Sequence, residues 1–249
     1  EVATPFESAK YKLGGSADRA SKDGGIYTGL YESGSSLTLM PIDYGDPSLV
    51  GYWTFNEGSG ATSTDVSGHG NNGAWNGTLG SQWVTGKVGA YAGQFNGTDN
   101  KVTSGNITVG TNMTISIWIY KNTSTVQNSF FSNRSGFGQV YFGLYQPMQV
   151  FLYNNNGSPP GIFSASNAVQ IGQWQYIVAT SDGLTIKFFV NGLLIYTTNQ
   201  TRNASTGAVG IGWDPAIGTE FWDGRIDDVR IYNRVLSAAE ILALYNATK

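Results

Sequence analysis

From Thr114 to Tyr120 the chain alternates. Ile115, Ile117 and Ile119 fall on one side of an extended backbone and Ser116, Trp118 and Tyr120 on the other, the period of a half-buried strand. Ile226, Asp227, Asp228, Val229, Arg230 and Ile231 repeat that pattern more loosely. Thr185 to Thr198 reads as two strands joined at Asn191-Gly192, a pair that favours the positive backbone dihedrals of a type I′ hairpin turn. Asn-Gly recurs at Asn72, Asn76, Asn96 and Asn156. Short strands punctuated in this way predict an all-β, antiparallel sandwich and no parallel α/β sheet. The period changes only near the end. Ser237 precedes Glu240 by three residues, the spacing of a capping box, and predicts a short helix from Ala238 to Tyr245 with Ile241, Leu244 and Tyr245 on one face.

Residues 1–48 differ from the rest. They hold no Trp, and Lys10, Lys12, Asp18, Arg19, Lys22 and Asp23 make them the most charge-dense stretch. Glu7 to Leu13 reads as a strand, Gly14 to Gly25 as a polar loop, and Leu30 to Met40 as a second strand interrupted by Gly34. Pro41 to Pro47 reads as a connector, because its prolines and glycine resist regular structure. One reading is a ragged N-terminal extension. The other starts from Glu7-Ser-Ala-Lys-Tyr-Lys12 and Leu30-Tyr-Glu-Ser-Gly-Ser-Ser-Leu-Thr-Leu-Met-Pro41, which resemble the C-terminal hairpin region of bacterial type IV pilin-like proteins. That resemblance covers under a fifth of the chain. It implies contact with other pilin subunits through a hydrophobic N-terminal helix. That helix is missing here, which implies its removal.

Composition narrows the class. Glycine is abundant (34), charged residues are scarce (12%) and aromatics plentiful (13%), a profile of many short strands and turns, not of a helical bundle. The net charge of −3 comes with no basic cluster, which argues against a nucleic-acid partner. The absence of cysteine excludes a disulfide framework, a thiolate metal site and a cysteine nucleophile. No run of about twenty apolar residues appears, so no direct membrane insertion is expected. The start at Glu1, without initiator Met or signal peptide, reads as a mature or truncated chain.

Five further segments share an order and spacing: Val50-Gly-Tyr-Trp-Thr-Phe-Asn-Glu-Gly-Ser-Gly60, Asp65-Val-Ser-Gly-His-Gly-Asn-Asn-Gly73, Gly86-Lys-Val-Gly-Ala-Tyr-Ala-Gly-Gln-Phe-Asn-Gly97, Thr114 to Tyr120, and Gln173-Trp-Gln-Tyr-Ile-Val-Ala179. With the strand and helix from Phe221 to Tyr245 they resemble laminin-G-like (LamG-type, concanavalin-A-like) domains from Leu49 to the end. The resemblance implies a jelly-roll sandwich over 49–249, with a function of binding carbohydrate or protein at a cell surface.

The residues bear on three chemistries. The first is calcium in a structural role. Asp65, Ser67, Asn71 and Asn72 gather oxygen donors in a glycine-rich loop, and calcium takes six to eight oxygens. One carboxylate is too few, and the resemblance points to the Ile-Asp-Asp-Val strand for a second. The expected set is Asp65 with Asp227 or Asp228, completed by loop carbonyls near Asn71. The alternative is an Asx-turn at Asp65 and salt-bridged aspartates beside Arg225 and Arg230. The second chemistry is sugar binding on aromatic rings, since sugars stack their C–H faces on Trp and Tyr. Trp53, Trp118 and Trp174 are expected as scaffold, whereas Trp75, Trp213, Trp222 and Tyr153 lie in loop-like segments and are the ligand candidates. Asn155 joins them from the polar loop Asn154 to Pro160. The third is catalysis. Laminarinase-type glycosidases of this architecture carry Glu-x-Asp-x-x-Glu on one strand. Here Glu57, Glu220 and Glu240 stand alone, and neighbouring Asp227 and Asp228 point to opposite faces of a strand. His69, the only histidine, sits in a flexible loop and reads as a turn residue. No enzyme, zinc site or P-loop is expected.

Ten Asn-x-Ser/Thr triplets begin at Asn76, Asn96, Asn106, Asn112, Asn122, Asn133, Asn156, Asn199, Asn203 and Asn246. With the pilin-like prefix they are expected to stay unmodified in a bacterial protein. The functional expectation is an extracellular adhesive module on a type IV pilus-like filament. Its partners would be glycans or glycosylated cell-surface proteins. A filament subunit without a ligand, and a glycan hydrolase or lyase, are the alternatives.

Overall fold

The computed structural model describes residues 2–5, 30–33, 46–124, 128–134, 140–145, 148–153 and 161–249. It divides the chain into two compact units, Glu1–Asp46 and Pro47–Lys249. In the first, β1 (Val2–Pro5) pairs antiparallel with β2 (Leu30–Ser33), with Val2 opposite Ser33 and Pro5 opposite Leu30. The expected second strand is thus described at its beginning, and its partner is the segment before Glu7. The strand expected at Glu7 to Leu13 lies outside the described residues.

The second unit is a sandwich of two antiparallel sheets. One runs in the order β13 (Gly161–Phe163), β12 (Gln149–Tyr153), β11 (Tyr141–Tyr145), β10 (Asn128–Ser132), β17 (Ser205–Ile211), β8 (Lys101–Val109), β5 (Gly73–Asn76) and β4 (Thr62–Ser63). The other runs β16 (Leu193–Asn199), β15 (Thr185–Val190), β14 (Trp174–Asp182), β9 (Asn112–Lys121), β18 (Asp223–Tyr232), β7 (Tyr91–Asn96) and β6 (Trp83–Thr85), with β3 (Leu49–Trp53) also paired to β18. Non-consecutive neighbours such as β9 and β18 are what join the two ends of the unit.

The inward rows form the main core. Ile115, Ile117 and Ile119 of β9 meet Phe130, Phe142, Leu144, Val150 and Leu152 from the opposite sheet in one buried cluster. The Asn191-Gly192 turn has φ of 51° and 79°, as a type I′ hairpin requires, and Asn191 Oδ1 accepts the Tyr176 N–H at 2.9 Å. In β18 the register shifts between Asp227 and Arg230. There Asp228 adopts φ 56°, and pairing passes from β7, which ends opposite Ile226, to β3, which begins opposite Val229.

The outward row of β9 is not solvated. Ser116 and Trp118 are buried, because Leu49, Tyr52, Trp118, Tyr176, Val178, Phe189, Tyr232 and Leu236 form a second apolar layer closed by Ile241 and Leu244. Those last two belong to α1 (Ala238–Thr248), three residues longer than the pattern predicted. Both halves of the capping box are present, with Glu240 N–H on Ser237 Oγ at 3.2 Å and Ser237 N–H on Glu240 Oε2 at 2.7 Å. Trp118 lies 5.8 Å from the Tyr245 ring and donates Nε1–H to Thr248 Oγ1 at 3.0 Å.

Candidate functional site

The residues expected to hold calcium tie distant parts of the fold together. Asp65 Oδ1 accepts the N–H of Tyr52 at 2.9 Å and of Ser67 at 3.0 Å, and Oδ2 accepts that of Asn71 at 2.9 Å. Burial raises the Asp65 pKa, but hydrogen bonds from Ser67, Tyr52 and Asn71 outweigh it and hold the carboxyl below its ordinary value. The Asn71 carbonyl accepts Trp53 Nε1–H at 3.0 Å and Ser104 Oγ–H at 2.7 Å. Asp228 accepts the Tyr52 hydroxyl at 2.8 Å and pairs with Arg230.

Asp227 bonds elsewhere, to the N–H groups of Lys87 at 2.8 Å and Val88 at 2.9 Å. Its Oδ1 is buried without a partner. Burial, reinforced by the neighbouring Asp228, pushes its pKa up to about 8. Asp65 and Asp227 share no bonding partner, and among the described residues no group of three or more His, Cys, Asp or Glu could hold a metal ion.

Two aromatic expectations are corrected. Trp222 is fully buried, with Phe130 5.6 Å from its ring and Lys121 Nζ 4.7 Å above it. Trp75 belongs to β5, whose short buried–exposed alternation hides between Asn-Gly turns, and its ring packs on Phe95 at 4.8 Å. Neither offers a face to a ligand. Trp53 and Trp118 are core as expected, and Trp174 is half-buried. Asn155 lies outside the described residues. The backbone of Tyr153 is opposite Tyr141 in β11, and its side chain lies outside the described residues.

Trp213 and that strand belong to one face, the outer surface of the β8–β13 sheet. Phe142, Leu144, Val150, Leu152 and Ile162 point into the core, so Tyr141, Gly143, Tyr145, Phe151 and Phe163 point outward. Here the outward row is aromatic. Phe151 stacks on Phe163 at 4.6 Å and 21°, Tyr145 meets Phe163 at 5.1 Å, and Tyr141 meets Phe151 at 5.4 Å. Glycine makes the room: a Cβ at Gly161 would overlap the Phe151 ring, and one at Gly143 would crowd Tyr141. Tyr145 remains 40% exposed and Phe163 half-exposed.

A polar cluster adjoins the rings. Arg134 follows β10, its guanidinium 5.1 Å from the Tyr141 ring. It pairs with Asp214, Nε–H to Oδ2 at 2.7 Å and Nη2 to the same oxygen. Asp214 Oδ1 accepts Ser132 Oγ–H at 3.2 Å and Ala216 N–H at 3.0 Å. Glu220 closes the same loop at φ 62°. Burial raises its pKa, helped by the Asp214 carboxylate. Burial first, then Glu220, pushes the Tyr141 hydroxyl well above 10. Trp213 is half-buried, parallel to Phe221 at 6.3 Å and 14°, with Lys101 Nζ 4.3 Å over its ring.

Sequence reading found Trp213 but missed Tyr141, Tyr145, Phe151, Phe163, Arg134 and Asp214, and it took Glu220 as isolated. The available signal was aromatic occupancy of outward positions in Tyr141-Phe-Gly-Leu-Tyr145 and around Phe151. Asp214 is fully buried and committed to Arg134, and Glu220 is half-buried with its Oε2 enclosed and without a partner. The face can stack apolar surfaces on the exposed Tyr145 ring and the half-buried Phe163 ring.

No curated protein matches the chain. Among solved structures it is similar to domain 4 of AbnA, a GH43 extracellular arabinanase from Geobacillus stearothermophilus, in complex with arabinotriose. The TM-score is 0.65 at 17% identity, over 80% of this chain and 98% of that one. It is also similar to the binding domain of Paraclostridial Mosquitocidal Protein 1 (TM-score 0.64, 17% identity, 80% of this chain). Botulinum neurotoxin type C, in a structure concerned with two ganglioside molecules, gives a TM-score of 0.62 at 13% identity over 81% of this chain. The match spans about half of those two toxin chains, 52% and 51%. At such identities the likeness establishes the fold alone. The laminin-G family model described as the concanavalin A-like lectin/glucanases superfamily matches residues 96–242, and the chain belongs to that family.

Proposed function

We propose that Pro47–Lys249 is a non-catalytic carbohydrate-binding module that serves adhesion at a cell surface. The observation that carries this reading is the outward aromatic row of β11 to β13, with Tyr145 and Phe163 open to solvent beside the Arg134–Asp214–Glu220 cluster. Few apolar platforms with a small set of fixed polar groups occur on a surface without a ligand to justify them. The folds it resembles include a domain solved with arabinotriose and a toxin whose cell entry depends on ganglioside interaction, which supports a glycan or glycoprotein as partner. The resemblance of residues 1–48 to type IV pilin-like proteins supports display on a filament at a bacterial cell surface, outside the membrane.

A glycan array probed with the whole chain tests this. Binding to a defined glycan class is expected, reduced at least about tenfold, or ~1.4 kcal/mol, by Tyr145→Ala or Phe163→Ala. Silence across the array would favour a filament subunit without its own ligand. Release of reducing ends from a polysaccharide would favour a hydrolase or lyase.

A further inference from the structure

A cavity lies elsewhere on the sandwich, apart from the aromatic face. It has a volume of about 270 Å³ and is lined by Val50, His69, Asn71, Asn106, Ile107, Thr108 and Asn233. In the sheet order β17 separates β8, which supplies its wall, from β10 and the aromatic strands beyond. The space equals about nine water volumes at ~30 Å³ each. That suits one sugar ring, and it falls below the ~300–1,000 Å³ of pockets that enclose drug-sized ligands.

Its chemistry is specific. No carboxylate, ammonium or guanidinium lines it. Asn71, Asn233 and His69 each use one end of the side chain to hold the fold and leave the other end unused. Asn71 Nδ2–H donates to the Val50 carbonyl at 3.1 Å, which leaves Oδ1 as an acceptor. Asn233 Oδ1 accepts Gly110 N–H at 3.1 Å, which leaves the two Nδ2–H donors. The Nδ1 of His69 meets Ser67 Oγ at 3.2 Å, which leaves Nε2. The side chain of the exposed Asn106 bonds to no other described residue. Fixed acceptors and donors around a wall of Val50 and Ile107 complement a ligand whose hydroxyls both donate and accept and whose ring carbons are apolar. The missing charge disfavours phosphate, sulfate and carboxylate ligands, which lose more hydration on entering than neutral groups recover.

We propose that this pocket is a second binding site for one neutral sugar residue, independent of the aromatic face. It would read hydroxyl positions on a single terminal unit, whereas the aromatic row would stack longer stretches.

The protein carries its own probe, since His69 is the only histidine. Its imidazole proton resonance is followed by NMR during titration with glucose, galactose, mannose, N-acetylglucosamine and fucose. Asn106 begins an Asn-x-Thr triplet, so the protein is made in a host that does not glycosylate. A saturable shift with at least one sugar is expected. It should be lost in Asn106→Ala, whose side chain bonds to no other described residue, and retained in Trp213→Ala. A resonance that none of the five moves, or that moves equally in Asn106→Ala, overturns the proposal. Loss of the shift in Trp213→Ala also overturns it, because the two sites would then not be independent.

Discussion

The two outer faces of the sandwich have met opposite fates. On the β9–β14–β18 sheet the outward aromatics Trp118, Tyr176 and Tyr232 are sealed beneath α1 and almost wholly buried. On the β10–β13 strands the outward aromatics Tyr145 and Phe163 keep solvent-facing area. The residue types are alike and the period is the same, so composition does not separate them. What separates them is a covering element. Aromatics in a sealed layer stabilise by burial, while aromatics left open are available to a ligand.

The largest effect that sharpens this contrast is on stability. Trp118→Ala should lower unfolding free energy by ~3–5 kcal/mol, measured by denaturant titration. Tyr145→Ala should cost only ~1 kcal/mol, the scale of a partly exposed aromatic contact. Equal losses would mean that the open face is core after all.

The second prediction concerns a charge caught under the seal. Asp227 stands directly opposite Trp118 in the β9–β18 register, on the face that α1 closes. Its carboxyl titrates near 8 in the folded chain, against an ordinary value of 3.8. The folded state therefore holds this proton more tightly than the unfolded state. The associated stability is complete below about 3.8 and lost as pH rises toward about 8. Asp227→Asn should flatten the stability–pH curve across that window and exceed wild type above pH 8 by more than ~1.4 kcal/mol, the worth of one pKa unit. An unchanged pH profile would show that Asp227 is solvated.

Smaller again is the cap that anchors the seal. Ser237→Ala removes the acceptor of the Glu240 N–H and should cost ~1 kcal/mol, read as a shift in denaturant midpoint without loss of glycan binding. The smallest expected effect is that of calcium. Because Asp65, Asn71 and Asp228 are already bonded within the protein, melting temperature should be the same in calcium and in excess chelator. A rise with calcium would direct attention to the unpartnered Asp227 Oδ1, by the mass-action rule that a ligand of the folded state stabilises it.

Local signals carried much of the fold. Alternation at Thr114–Tyr120, the Asn191-Gly192 turn and the Ser237–Glu240 capping box each encode their geometry within a few residues, because the responsible forces act over one turn or one pair of dihedrals. The resemblance in ordered motifs also sufficed to place the chain in its family. Asp65 was legible as a loop organiser, since its donors at Ser67 and Asn71 lie two and six residues away. Its reading as a calcium ligand depended on a distant aspartate, and that juxtaposition was not encoded locally.

The sequence by itself determined which residues share a side of each strand, because the side-chain period of two is a property of the backbone. Only the tertiary structure decided what lies over each side. α1 covers Trp118, and nothing described covers Tyr145. The polar cluster needed the same information, for Arg134 and Asp214 are 80 residues apart and meet because β10 and β17 pair. Long-range strand pairing, and not local pattern, separated the sealed face from the open one.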